Sequence, residues 1–165
     1  MSFDSATFRQ VLGHFPTGVT VVTAAGAEGP VGFTIGSFTS VSLDPPLVGF
    51  LPMTESGRWK AIEAAGSFCV NVLGADQADL CWQFAKSTIE HPFEGVGWTP
   101  SPGTGSPLLD GVIAWIDCTI ESVVDAGDHK FVMGRVQALD HAPADADPNA
   151  LLFFRGKVGR FQSGG

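Results

Sequence analysis

The chain has 165 residues, a formal net charge of −8 at pH 7, and 44% hydrophobic against 16% charged residues. That balance excludes a disordered charged tail, and 21 glycines with 11 prolines are too many for a helix bundle. The acidic excess lacks the basic footprint that a phosphate backbone requires, and no apolar run reaches the ~18 residues of a membrane span, so neither nucleic acid nor a membrane is an expected partner.

Asp4 or Ser5 can cap a short helix that brings Phe8, Val11 and Leu12 to one face and stops at Gly13. Residues 18–25 are β-branched and predict a strand, followed by a turn at 26–30. Residues 31–43 form one extended, hydroxyl-rich run with Gly32 and Gly36 inside it. Glycines within a strand mark a bulge or a close approach by a ligand or another backbone. Asp44-Pro45-Pro46 stops that run, and 47–51 begins another strand. Residues 56–65 predict a helix carrying Trp59 and Ile62, and 67–73 alternate as a strand. Asp76 is expected to cap a helix through Phe84, with Leu80 and Phe84 inward. Residues 86–106 read as a loop. Two long strands, 112–124 and 130–139, flank a hairpin turn at 125–129. A polar loop at 141–149 precedes short strands at 151–154 and 158–161.

The sum is a mainly β fold, mostly antiparallel, with two or three short helices; barrel closure is a common way to remove the edges of such a sheet. No repeat, linker or second domain is visible, so residues 1–165 are expected to form one domain with its core from about 8 to 161. Cys69, Cys81 and Cys118 are odd in number and widely spaced. They suit neither a disulfide framework nor a zinc site, and read as buried thiols in a reducing cytoplasm. The N-terminus lacks a basic region followed by an apolar one, so no signal peptide is expected. The four histidines, His14, His91, His129 and His141, fall on different elements, and no metal site is expected from them. Dinucleotide, phosphate-loop, nucleophile-elbow and H-E-x-x-H signatures are absent from the sequence.

Three stretches carry chemistry. The run from Gly32 to Leu47 offers hydroxyls and glycine-exposed amides, which either bind a polar ligand edge or simply face water. In Gly127-Asp128-His129, a carboxylate can hold one tautomer of the imidazole, or the histidine is an ordinary turn residue. In Phe15-Pro16-Thr17-Gly18-Val19, the glycine admits a flat ring or merely links two elements.

The ordered set Phe15-Pro16-Thr17-Gly18-Val19, Gly32-Phe33-Thr34 through Pro46-Leu47, Phe68 through Leu73 with Phe84-Ala85, Gly127-Asp128-His129 with Gly134-Arg135-Val136, and Leu151 through Arg155 resembles the short-chain flavin reductase family. These are the reductase components of two-component flavin-dependent monooxygenases. The resemblance implies a split β-barrel, usually a homodimer, that binds FMN or FAD and transfers a hydride from NADH or NADPH. A separate monooxygenase component would take the reduced flavin. Carried over, the Thr34, Ile35, Gly36 and Ser37 segment would line the isoalloxazine and ribityl chain. Thr17, Gly18 and Ser40 complete that set, Ser56 would lie near the phosphate, and Phe84, Ala85 and Lys86 would border the flavin. His129 would contact the nicotinamide nucleotide and is the catalytic candidate, as a positioning group rather than a proton donor. Gly36 stands where family members often have Asn, leaving backbone amides to bind there. Lys86, Arg58 and Arg155 are the candidate phosphate partners. Two further classes share the barrel: a directly acting FMN oxidase of pyridoxamine-phosphate-oxidase type, and a non-enzymatic flavin carrier.

Overall fold

A computed structural model describes residues 3–143, 146 and 149–162. The chain runs α1 (Ser5–Leu12), β1 (Thr17–Gly18), β2 (Thr20–Gly26), β3 (Gly29–Ile35), β4 (Thr39–Leu43) and β5 (Pro46–Phe50). It continues through α2 (Gly57–Ala65), β6 (Ser67–Val72), α3 (Ala78–Ala85), β7 (Trp98–Pro100) and β8 (Pro107–Leu109). The remainder is β9 (Ala114–Ala126), β10 (His129–His141), β11 (Leu151–Phe154) and β12 (Lys157–Arg160). Every ladder among the described residues is antiparallel, so the mainly β, antiparallel expectation with short helices holds.

The main sheet has the order β3-β2-β6-β9-β10-β5-β4. Its two edges, β3 and β4, are neighbours in sequence, joined only by Gly36, Ser37 and Phe38. The expected single strand over 31–43 is therefore two strands at opposite edges of one curled sheet. Curvature comes from the β9–β10 pair, which carries register shifts at Met133/Gly134 and Val136/Ala138. Bulges of this kind bend a strand and raise its twist. Gly134 is forced to be glycine there, because a β-carbon would stand 2.3 Å from Phe68 Cζ. Gly127, at φ 69, starts the two-residue turn that closes the hairpin.

The concave side is filled by Phe50, Phe68, Val22, Val70 and Val132, with Trp59 and Ile62 of α2 as the lid. Phe50 meets Trp59 and Phe68 edge-on, with centroids 6.0 and 5.0 Å apart, a geometry that adds roughly 0.5–1.5 kcal/mol per pair beyond burial. Ser56 caps α2 by accepting the Trp59 N–H at 3.3 Å, and Gly66 ends it at φ 72. A second core of Val21, Leu73, Cys81, Phe84, Leu109 and Leu151 lies under α3 and the small β1-β11-β12 sheet.

Two local expectations change, and one apolar face stays open. Asp76 does not cap α3: the N-cap is Gln77, whose side chain instead accepts the Gly74 N–H at 2.9 Å. The region 86–106 contains β7, paired with β8. The apolar face of α1 is formed but not covered, since Phe8, Val11 and Leu12 are all exposed.

Candidate active site

Gly36, Ser37 and Phe38 leave the ladder, and among the described residues their three backbone N–H groups meet no acceptor. Ser37 holds this link in place. Its Oγ accepts the Leu51 N–H at 2.9 Å and donates back to the Leu51 carbonyl at 3.4 Å. Thr17 comes up beside it: a β-carbon on Gly36 would lie 2.9 Å from Thr17 Oγ1. The seam thus shows a row of unused donors over a position with no side chain.

Residues 51–56 carry that geometry to the other candidates. Pro52 O accepts from Lys130 N at 3.0 Å, Met53 bridges to His129, and Thr54 N donates to Asp128 O at 3.0 Å. Ser56 N then donates to Met53 O at 3.1 Å at the start of α2. One short segment therefore binds Ser37, His129 and Ser56 together, though they are far apart in sequence. His129 Nδ1 lies 2.7 Å from Asp128 Oδ1, leaving Nε2 without a partner among the described residues on a side chain 38% exposed. The same hydrogen bond, reinforced by the charge, holds the Asp128 carboxyl below the usual carboxylate range.

Other candidates are placed differently. The Thr34 hydroxyl donates to Cys81 O at 2.7 Å, tying β3 to α3. Ile35 packs against the main core, and Ser40 is exposed on β4. Phe84 is fully buried, its ring edge-on to Phe93 at 4.9 Å, while Ala85 and Lys86 are exposed. Gly18 pairs with Leu152 on β11, next to Thr17.

Arg58, a candidate phosphate partner by sequence, is otherwise engaged. Its guanidinium donates to Phe84 O at 3.0 Å, Lys86 O at 3.2 Å and also Ile89 O, so it fixes the chain after α3. Burial pushes its pKa down. Two groups escaped the sequence reading altogether. Asp117 is fully buried and accepts the Gly103 and Thr104 N–H groups at 2.8 Å each, folding the 101–106 loop onto β9. Asn71 is equally buried, donating to Val21 O at 3.2 Å and accepting from Leu109 N at 2.8 Å. Each is a polar residue inside an apolar strand, the one signal that could have found it.

The seam fits a flat heteroaromatic group with acceptor atoms along one edge. Adjacent amides supply donors, and the α2 N-terminus supplies positive potential for a phosphate. No cluster of metal-ligating side chains occurs among the described residues.

Comparison with known proteins points the same way. The family model described as a flavin reductase like domain matches residues 12–162. The chain is 49% identical over 161 residues to a flavin reductase of Pseudomonas putida, covering 97% of this chain and 92% of that protein. It is 49% identical over 153 residues to HsaB, the reductase subunit of a flavin-dependent monooxygenase of Mycobacterium tuberculosis, covering 93% and 80%. The solved NADH:FAD oxidoreductase SgcE6 of Streptomyces globisporus, in complex with NAD and FAD fragments, is similar at a TM-score of 0.89. Its identity is 37%, over 96% of this chain and 93% of that one.

Proposed function

This chain belongs to the flavin reductase like domain family, and from that premise we propose an NAD(P)H:flavin oxidoreductase that reduces FMN or FAD and supplies the reduced flavin to a separate monooxygenase component. The observation that carries this reading is the seam, where the adjacent Gly36, Ser37 and Phe38 amides meet no acceptor among the described residues.

When bound, the flavin supplies the redox chemistry, accepting a hydride from the dihydronicotinamide. The chain's own work is placement. The Gly36, Ser37 and Phe38 amides would fix one edge of the ring by hydrogen bonds, and the missing side chain at Gly36 lets Thr17 close in beside them. Ser37 keeps those amides aimed outward through Leu51. Ser56 and the first amides of α2 would face a phosphate. His129, oriented by Asp128, offers Nε2 to the nicotinamide nucleotide and holds it over the seam. A ring-to-ring approach of roughly 3–3.5 Å is needed, and positioning rather than proton transfer is what the side chains provide.

The seam between β3 and β4 is read as the opening of a split barrel. The molecule is read as one domain that forms a homodimer in the cytoplasm. Exposed Leu43, Met53, Val124 and Leu139 supply apolar surface for a second copy, and three buried free thiols suit a reducing compartment. Flavin binding is non-covalent, so denaturation releases all the yellow colour.

The test follows absorbance at 340 nm with NADH or NADPH and added FMN or FAD. Flavin-dependent oxidation of at least one nucleotide is expected. Its absence in all four combinations overturns the assignment.

A further inference from the structure

A helix leaves its last carbonyls without partners, and they carry the negative end of its dipole. At the C-terminus of α3 the Lys86 N–H returns to Trp82 O at 3.3 Å, and the last turn holds no basic residue of its own. The missing cation comes from another helix. Arg58 stands in the first turn of α2, half-buried, and its guanidinium donates across to Phe84 O at 3.0 Å, Lys86 O at 3.2 Å and Ile89 O. These acceptors lie 26, 28 and 31 positions further along the chain. Lys60, Lys130 and Arg135 are paired with carboxylates, whereas Arg58 meets none among the described residues. Its charge is spent on backbone.

The segment held by these bonds has little else to shape it. Between the end of α3 at Ala85 and the start of β7 at Trp98 there is neither helix nor strand. Gln83 continues the pattern, with Nε2 donating to Pro92 O at 2.9 Å and Glu94 O at 3.0 Å. Two side chains thus hold the carbonyls of Phe84, Lys86, Ile89, Pro92 and Glu94, and Arg58 takes the near end. A guanidinium suits that task, because its rigid fork of donors serves several acceptors at once, whereas an ammonium is a compact point charge. The other side of α3 is tied to β3, the strand that runs into Gly36. Thr34 donates to Cys81 O at 2.7 Å, and a β-carbon on Gly32 would lie 3.2 Å from Phe84 Cε1.

We propose that Arg58 is a positioning residue for flavin: it ties the first turn of α2 to the segment leaving α3, and so fixes the spacing of two walls of the flavin site without touching the flavin. This deepens the reductase reading and rests on it, since that reading puts a phosphate at the α2 N-terminus and a flavin border at 84–86. Arg58 lies two residues from the Ser56 cap, and it holds the carbonyls on either side of Ala85. Seam, border and phosphate end then form one frame. Thr34 joins the first pair, and Arg58 joins the second. Loss of the guanidinium leaves the border attached to β3 but free of α2, and flavin retention falls.

Arg58→Ala and Arg58→Lys test it, by hydrogen exchange of the flavin-free protein and by fluorescence titration with flavins. Without flavin, amide exchange in peptides spanning 86–91 should rise at least about 10-fold in Arg58→Ala, with β10 unchanged. FMN and riboflavin, which lacks the phosphate, should both weaken by at least about 10-fold and by the same factor. At saturating FMN, kcat should stay within about twofold, so the loss falls on KM for the flavin. Arg58→Lys keeps a cation in the first turn of α2 and should behave as Arg58→Ala does; it also carries the test if the alanine variant does not fold. Weaker FMN with unchanged riboflavin overturns the proposal and makes Arg58 a phosphate contact. A lysine variant that binds flavin as the wild type does overturns it as well, because charge alone would then suffice. So does faster exchange with unchanged flavin affinity, which leaves the clamp a purely structural one. Failure of the reductase reading shows separately, as absent flavin-dependent oxidation of NADH and NADPH by the wild type, whatever the exchange rates are.

Discussion

Thr17 Oγ1 stands 2.9 Å from the point where a β-carbon on Gly36 would be, so these two candidate site residues are in contact although they lie on β1 and beyond β3. Gly36→Ala should therefore destabilise the protein by about 1 kcal/mol, at the lower end of overpacking costs. Thr17→Ala in the same chain should restore most of that loss, a coupling of about 1 kcal/mol in urea unfolding. Strictly additive costs would show that the two residues do not meet.

His129→Ala removes one or two hydrogen bonds to a charged ligand. kcat/KM for the nicotinamide nucleotide should fall by roughly 10- to 100-fold, through KM, with flavin affinity nearly unchanged. Steady-state kinetics and a flavin titration of the same variant decide it. Unchanged kinetics with both NADH and NADPH would leave His129 an ordinary turn residue.

The same variant has a pH signature. Asp128 titrates below its ordinary value of 3.8, first because of its hydrogen bond to His129. A carboxyl depressed in the folded state contributes stability that is present above its unfolded pKa and is lost as pH falls through the folded one. His129→Ala should return the Asp128 titration upward toward 3.8, as read by NMR of the carboxyl carbon.

Asp117→Ala leaves the Gly103 and Thr104 amides without their acceptor beneath a closed loop. A loss of about 3 kcal/mol is expected, or roughly 6–12 °C in Tm for a chain of this length. Asp117→Asn should cost less, since a carboxamide oxygen still accepts. A variant within 1 °C of the wild type, roughly the reach of a neutral surface change, would refute the anchoring role.

Cys69, Cys81 and Cys118 are free and buried. Burial raises all three thiols, with Cys118 pushed up to about 12. At about pH 8 they remain protonated, and a thiol-specific chromogenic reagent should find none in the native protein and three after denaturation. These raised values bind protons more tightly in the folded state. Their contribution is present below the ordinary value of 9.0 and is lost as pH rises beyond it, so alkaline unfolding should begin there.

Local chemistry was enough for the elements whose signals are short-range. The alternation of 67–73 became β6, the Gly127 turn closed the β9–β10 hairpin, and Ser56 and Gly66 bounded α2. The hydroxyl-rich run around glycines was equally legible, because it is a property of neighbouring residues. What sequence could not contain was which hydroxyl is already spent. Thr34 is used by Cys81 and Ser37 by Leu51, and Arg58 by three carbonyls up to 31 positions away. The break of 31–43 into two edge strands has the same origin: no turn chemistry at Ser37 or Phe38 requires it, and the ladder to β5 imposes it. Asp117 looked like any acid in a strand until the 101–106 loop folded over it. Propensity and periodicity act over a few residues, whereas hydrogen-bond partners and burial are assigned only when distant strands are brought into register.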